Sequence, residues 1–242
     1  MQRVQTILLA ILAVVVFGAA GYVLVHNDST GRAGTQDSFA PGSTPPTPVV
    51  SDSNSAAPVT AVKKVVAFVG DEWTSGATAS TKAKRFTTIV ATRLGVTERN
   101  LGKQGSGYAD GADYSSRVDA VIAAQPDVVV VSGGRNDVVD NNATAADANV
   151  PLLFRDLHRR LPDAVLVAVA PMWGDSDAPQ PLADLATAVE KAVTAEGGSY
   201  LDIADPLHSH PGLMADASDP NDQGFAAIAD VLAKKLAPLV TR

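Results

Sequence analysis

Four consecutive valines, Val128-Val129-Val130-Val131, constrain this chain more than any other feature. Successive side chains of a strand point to opposite faces, so an unbroken apolar run belongs to a strand buried on both sides. Such a strand requires a parallel sheet with helices above and below it. The surrounding residues repeat the theme. Val65-Val66-Ala67-Phe68-Val69, Val165 to Ala170 and Tyr200 to Ile203 read as strands, and Asn100-Leu101-Gly102 as a short strand and turn. Between them, apolar residues recur at helical spacing: Phe86, Ile89, Val90 and Leu94; Val118, Val121 and Ile122; Leu153, Phe154, Leu157 and Leu161; Leu182, Leu185, Val189 and Val193; Phe225, Ile228, Val231, Leu232 and Leu236. Five β-α units in alternation predict a three-layer α/β/α sandwich with a five-stranded parallel sheet, flavodoxin-like, over residues 63–242.

The amino end follows other rules. Ile7 to Val25 is a run of 19 residues without a charge, preceded by Arg3. That is long enough to span a hydrocarbon core as a helix. Residues 1–26 therefore read as a transmembrane signal-anchor, with Arg3 on the cytoplasmic side and the rest of the chain outside. A cleaved signal peptide is the competing reading, with Gly18-Ala19-Ala20 as its cleavage site and a secreted product. Residues 27–62 are rich in Ser, Thr, Pro and Gly, with Pro45-Pro46-Thr47-Pro48 near the middle, and show no helical or strand period. This composition predicts a disordered tether.

Composition removes several function classes. The chain has no cysteine, which excludes disulfides, thiol catalysis and lipid attachment at a cysteine. Its net charge is −7 and its basic residues are scattered, which argues against a nucleic-acid partner. No metal or cofactor is expected.

In open parallel sheets, sites form beyond the carboxyl ends of the strands. Gly70-Asp71-Glu72 follows the first strand, Gly105 the second and Gly133 to Asp137 the third, while Asp216 to Asp219 lies between the last strand and the last helix. All four segments are expected on one rim. Trp73, Tyr108 and Trp173 also follow strand ends, and with Arg135 they are candidates for contacting a carbohydrate or acyl ligand.

In these segments the chain resembles the SGNH (GDSL-like) hydrolase family, over most of Lys63–Arg242. The resemblance implies a nucleophile after the first strand, where this chain reads Gly70-Asp71-Glu72, so Glu72 stands in place of Ser. It assigns Gly105, in Asn100-Leu101-Gly102-Lys103-Gln104-Gly105, and Asn136, in Gly134-Arg135-Asn136-Asp137, as oxyanion-hole donors. It implies an Asp-x-x-His block, which here is Asp216-Ala217-Ser218-Asp219-Pro220-Asn221, so Asp219 replaces the general-base His while the orienting Asp216 remains.

These two replacements oppose ester cleavage. A serine hydrolase needs a hydroxyl whose proton an imidazole removes. Glu72 has no hydroxyl, and an Asp, with a reference pKa near 3.9, is a poor base for one. Three arrangements of Glu72 are open: its carboxylate bonded to Gly105 N–H and Asn136, a proton-sharing or cation-binding pair with Asp219, or an acid/base pair with Asp219 for another hydrolysis such as glycoside cleavage. The leading expectation is a catalytically impaired module that binds an envelope carbohydrate, acyl group or protein. The alternative is an active esterase or acyl-transfer enzyme with a displaced nucleophile such as Ser75 and a displaced base such as His208 or His210.

Overall fold

The computed structural model describes residues 62–109 and 113–241. The expected anchor and nearly all of the expected tether, residues 1–61, lie outside them. Among the described residues no helix is long and apolar enough to cross a membrane.

The sheet has five parallel strands: β1 Val65–Gly70, β2 Thr97–Gly102, β3 Val128–Ser132, β4 Val165–Val169 and β5 Ser199–Leu201. Their order is β2-β1-β3-β4-β5. The valine run behaves as its composition requires. Val128 and Val130 join one core layer, Val129 and Val131 the other. The first layer is closed by α2 (Phe86–Leu94) and α7 (Asp222–Val240), through Phe86, Val90, Phe225, Ile228 and Leu232. The second is closed by α3 (Val118–Ala123), α5 (Ala143–Arg160) and α6 (Gln180–Ala195), through Val121, Val150, Phe154, Leu157, Leu185 and Val189. The three-layer α/β/α sandwich is thus the observed architecture.

Two short helices complete the list, α1 (Glu72–Ser75) after β1 and α4 (Arg135–Val139) after β3. Neither has enough turns for a periodic signal, which is why apolar spacing does not reveal them. Both matter for the site. β1 lies between β2 and β3, and the crossovers leave it in opposite directions. This switch point opens a crevice at the carboxyl ends of β1 and β3, where α1 and α4 begin.

Strand ends differ modestly from expectation. β2 is six residues long because Thr97 to Gly102 pairs along the whole of β1, although its edge position leaves its side chains mostly half-buried. β5 stops at Leu201, and Ile203 enters the core from the following loop.

The entry to α7 is built by Asn221, whose side chain accepts from Gln223 N (2.9 Å) and Gly224 N (3.1 Å) and donates to Gly212 O (2.9 Å). Gly224 has no room for a side chain, since a Cβ would lie 2.3 Å from Leu213 O. Asn221→Ala is expected to cost about 1–2 kcal/mol, as N-cap losses do. Urea denaturation checks this; an unchanged midpoint would mean that the cap contributes nothing.

Candidate active site

Gly70 ends β1 where α1 crosses close over the end of β3. A Cβ there would lie 2.0 Å from Thr74 Oγ1 and 2.3 Å from Ser132 O, so only glycine permits this approach. Asp71 is the N-cap of α1, and its Oδ1 accepts from Trp73 N at 3.0 Å and Thr74 N at 3.4 Å. The cap rotates Glu72 into the crevice. Glu72 is only 8% exposed, so its carboxylate must find donors within the protein.

It finds two. Glu72 Oε2 accepts from Gly105 N at 3.1 Å and from Asn136 Nδ2 at 2.9 Å. The second Asn136 Nδ2 hydrogen goes to Ser106 O at 3.1 Å, which sets the amide with its nitrogen toward Glu72. Of the three arrangements open from the sequence, the geometry has the first: the carboxylate accepts from Gly105 N–H and Asn136 Nδ2.

The loop carrying Gly105 is held by residues that sequence reasoning missed. Ser106 Oγ lies 2.6 Å from Lys103 O and 3.2 Å from Gly70 O. Arg117 Nη1 donates to Gly70 O (3.0 Å) and Leu101 O (2.9 Å), and Nη2 donates to Ser106 Oγ (3.1 Å). One guanidinium thereby clamps the ends of β1 and β2 to the loop carrying Gly105. Asp137, fully buried, accepts from Tyr108 N (2.9 Å) and Ala109 N (2.8 Å) and pins the next stretch of the same loop. Its place beside Asn136 in the Gly134 to Asp137 segment was the available signal. Arg117 had none, because its partners are brought together only by the sheet.

The rim opposite Glu72 is the Asp216 to Asp219 loop. Asp216 is exposed, and its Oδ1 accepts from Ser218 N at 2.8 Å and Asp219 N at 2.9 Å, which holds its carboxyl below the usual range. This oxygen thus caps its own turn and also accepts from Ser218 Oγ at 3.2 Å. Asp219 is half-buried, and its carboxyl is pushed upward, first by burial and then by the charges of Asp216 and Glu72. Glu72 and Asp219 therefore lie within electrostatic reach of each other. The loop is fastened to α1, because Trp73 Nε1 donates to Ser218 O at 3.1 Å and Thr78 Oγ1 donates to Pro220 O at 2.7 Å.

The aromatic candidates separate. Trp73 (4% exposed) and Tyr108 (1% exposed) belong to the two core layers and offer almost no surface to a ligand, which corrects the expectation for both. Helix α1 turns Trp73 inward, and Tyr108 packs on Tyr114 with ring centroids 4.8 Å apart. Trp173 and Arg135 remain half-buried. The Arg135 guanidinium carbon sits 5.1 Å from the Trp173 ring centroid, Nε donates to Trp173 O at 3.3 Å, and its charge opposes the upward push on Asp219.

The displaced groups do not meet. Ser75 Oγ donates to Glu72 O at 2.9 Å. His208 Nδ1 lies 3.2 Å from Ser176 O, and its Nε2 lies 3.7 Å from Asp177 Oδ1. His210 Nδ1 is 2.6 Å from His208 O. Neither imidazole is bonded to a hydroxyl. Among the described residues no three His, Cys, Asp or Glu side chains are grouped as metal ligands would be.

The sequence profile of the GDSL-like lipase/acylhydrolase family matches residues 68–227, the span that contains all four site segments. The chain belongs to this family. A curated relative, GDSL lipase Rv0518 of Mycobacterium tuberculosis, is 27% identical over 194 residues, covering 73% of this chain and 81% of that protein. Solved structures share the fold. A protein assigned to the G-D-S-L lipolytic family from Desulfitobacterium hafniense superposes with a TM-score of 0.61 at 16% identity, covering 71% of this chain and 99% of its own. An acetyl xylan esterase from Butyrivibrio proteoclasticus gives 0.60 at 14%, covering 76% and 66%. A family two carbohydrate esterase from Clostridium thermocellum, solved with cellohexaose, gives 0.60 at 15%, covering 74% and 65%. This SGNH domain therefore has an ester hydrolase fold, with Glu72 and Asp219 at the crevice.

Proposed function

We propose that this chain is a membrane-tethered SGNH domain, held outside the cytoplasm, that binds a ligand in its crevice and has lost ester hydrolysis. The observation that carries the reading is the Glu72 carboxylate on Gly105 N–H and Asn136 Nδ2. Those donors stabilise the oxyanion of acyl transfer in a working enzyme. Here they already hold an anion, so a substrate carbonyl finds no vacant donor. Among the described residues no hydroxyl is hydrogen-bonded to an imidazole to supply the attack. The apolar run from Ile7 to Val25 and the Pro-rich stretch after it support the tether and the placement outside the cytoplasm.

The ligand class that best fits the rim is an envelope carbohydrate. Half-buried Trp173 offers an apolar ring beneath Arg135, and Arg135, whose charge reaches Asp216 and Asp219, joins them in offering hydrogen-bonding groups. The esterases of similar fold that act on polysaccharides support trying sugars first, with acyl groups and proteins next.

Activity of the purified chain on a chromogenic acetate ester tests the loss of catalysis. Turnover is expected at the buffer rate, with Ser75→Ala indistinguishable from the parent. Clear turnover that Ser75→Ala abolishes would establish a displaced nucleophile and overturn the binding reading.

A further inference from the structure

Glu72 does more than remove a nucleophile. The residue is buried, and its Oε2 accepts two hydrogen bonds, one from a backbone N–H and one from an amide whose orientation Ser106 O dictates. Both donors are neutral and both point at the same oxygen. Hydrogen bonds to an ionised acceptor are roughly twice as strong as neutral ones. The pair is therefore a small anion receptor with an anion already in it.

We propose that Gly105 N–H and Asn136 Nδ2 form a carboxylate-binding site that Glu72 fills from within the chain, as a tethered copy of the acid that ester hydrolysis releases. The inference rests on reading the crevice as a closed hydrolase site. Its chemistry is specific. A carboxylic acid product and the Glu72 side chain present the same planar two-oxygen anion, and truncating Glu72 to Ala removes a CH2–COO− fragment, the size of acetate. The receptor itself does not depend on Glu72. Gly105 is positioned by the Lys103 and Ser106 contacts and by Arg117, and Asn136 by Ser106 O, all of which remain after truncation.

Tethering explains why the native site is closed to free acids. Glu72 is the first residue of α1, capped by Asp71 and bonded through its carbonyl to Ser75 Oγ. Little freedom is left to lose when its carboxylate binds, so its effective concentration exceeds what a soluble acid reaches in trans.

The test is an acetate titration of the full chain at pH 7 and constant ionic strength, with chloride replacing acetate in the controls. The Gly105 amide resonance and the melting temperature are followed together. In Glu72→Ala the Gly105 amide is expected to shift saturably, with a dissociation constant in the millimolar range, and 50 mM acetate to raise the melting temperature by about 3 °C. Parent protein and Glu72→Gln, which keeps an oxygen on the donors, are expected to show neither effect. Glu72→Ser serves as a second opened variant should the alanine form fold poorly. A Gly105 resonance that ignores acetate in a folded, opened variant overturns the proposal, as does an equal shift in the parent. This readout needs no turnover, so ester hydrolysis by the parent would defeat the binding reading above while leaving the acetate result to stand or fall separately.

Discussion

The double variant Glu72→Ser with Asp219→His is expected to raise ester turnover at least about a thousandfold above the parent, which corresponds to roughly 4 kcal/mol of barrier. Each component has a physical basis. Ser at 72 supplies the hydroxyl and vacates Gly105 N–H and Asn136 Nδ2 for the substrate oxygen. His at 219 supplies a base of suitable pKa on a loop already fastened to α1 through Trp73 and Thr78. Asp216 spends Oδ1 on its own turn, and Oδ2 remains to receive an imidazole N–H. Nucleophile and base act as a unit, so the single variants should stay near the parental rate. The comparison is a chromogenic acetate assay of the four proteins. A folded double variant no faster than the parent would show that positions 72 and 219 are not the nucleophile and base positions of this crevice.

Asp71→Asn is expected to flatten the dependence of stability on pH. Burial pushes the Asp71 carboxyl from 3.8 to about 7, and the Glu72 charge adds to the push, while the N–H groups of Thr74 and Trp73 pull back. The folded protein therefore holds a proton on Asp71 that the unfolded chain releases between pH 3.8 and about 7. Across this window the unfolded state binds fewer protons, so the Asp71 contribution falls as pH rises and is fully lost above about 7. A shift of this size amounts to about 4 kcal/mol. Asparagine keeps an oxygen for the Trp73 and Thr74 N–H groups and carries no charge beside Glu72. The urea midpoint of the Asn variant, relative to the parent, should climb from pH 4 to pH 7 and then level off. Parallel curves over that range would mean that Asp71 is not a strained buried acid.

The two variants probe opposite sides of one design. Glu72 introduces a second carboxylate next to the acidic cap of α1. Its charge is matched by Gly105 and Asn136, and part of the cost falls on Asp71 and Asp219, whose carboxyls are both pushed upward by it. A hydrolase with Ser at this position would have no such charge. The Glu72 carboxylate lies on its two donors, Gly105 N–H and Asn136 Nδ2.

Particular residues show how far sequence reasoning reached. Val128 to Val131 determined a strand buried on both faces, and hence the layered sandwich, because strand alternation is a property of the backbone alone. Gly70-Asp71-Glu72, Gly105, Asn136 and Asp216 to Asp219 were legible as one rim because each lies after a strand or before the last helix. Trp73 and Tyr108 show where the reasoning failed. Both follow strand ends, as ligand-facing aromatics do, yet a four-residue helix and a clamped loop turn them into the core.

The sequence alone determined the fold class, the order of the site segments and the residue types at positions 72 and 219, since these depend on residue type and on local periodicity. Only the tertiary structure decided where the Glu72 carboxylate goes, that Arg117 and Ser106 hold the Gly105 loop together, and that Ser75, His208 and His210 are each hydrogen-bonded elsewhere. Those of Glu72 and Arg117 are contacts between residues distant along the chain, and their geometry exists only once the sheet has brought the ends of β1, β2 and β3 side by side.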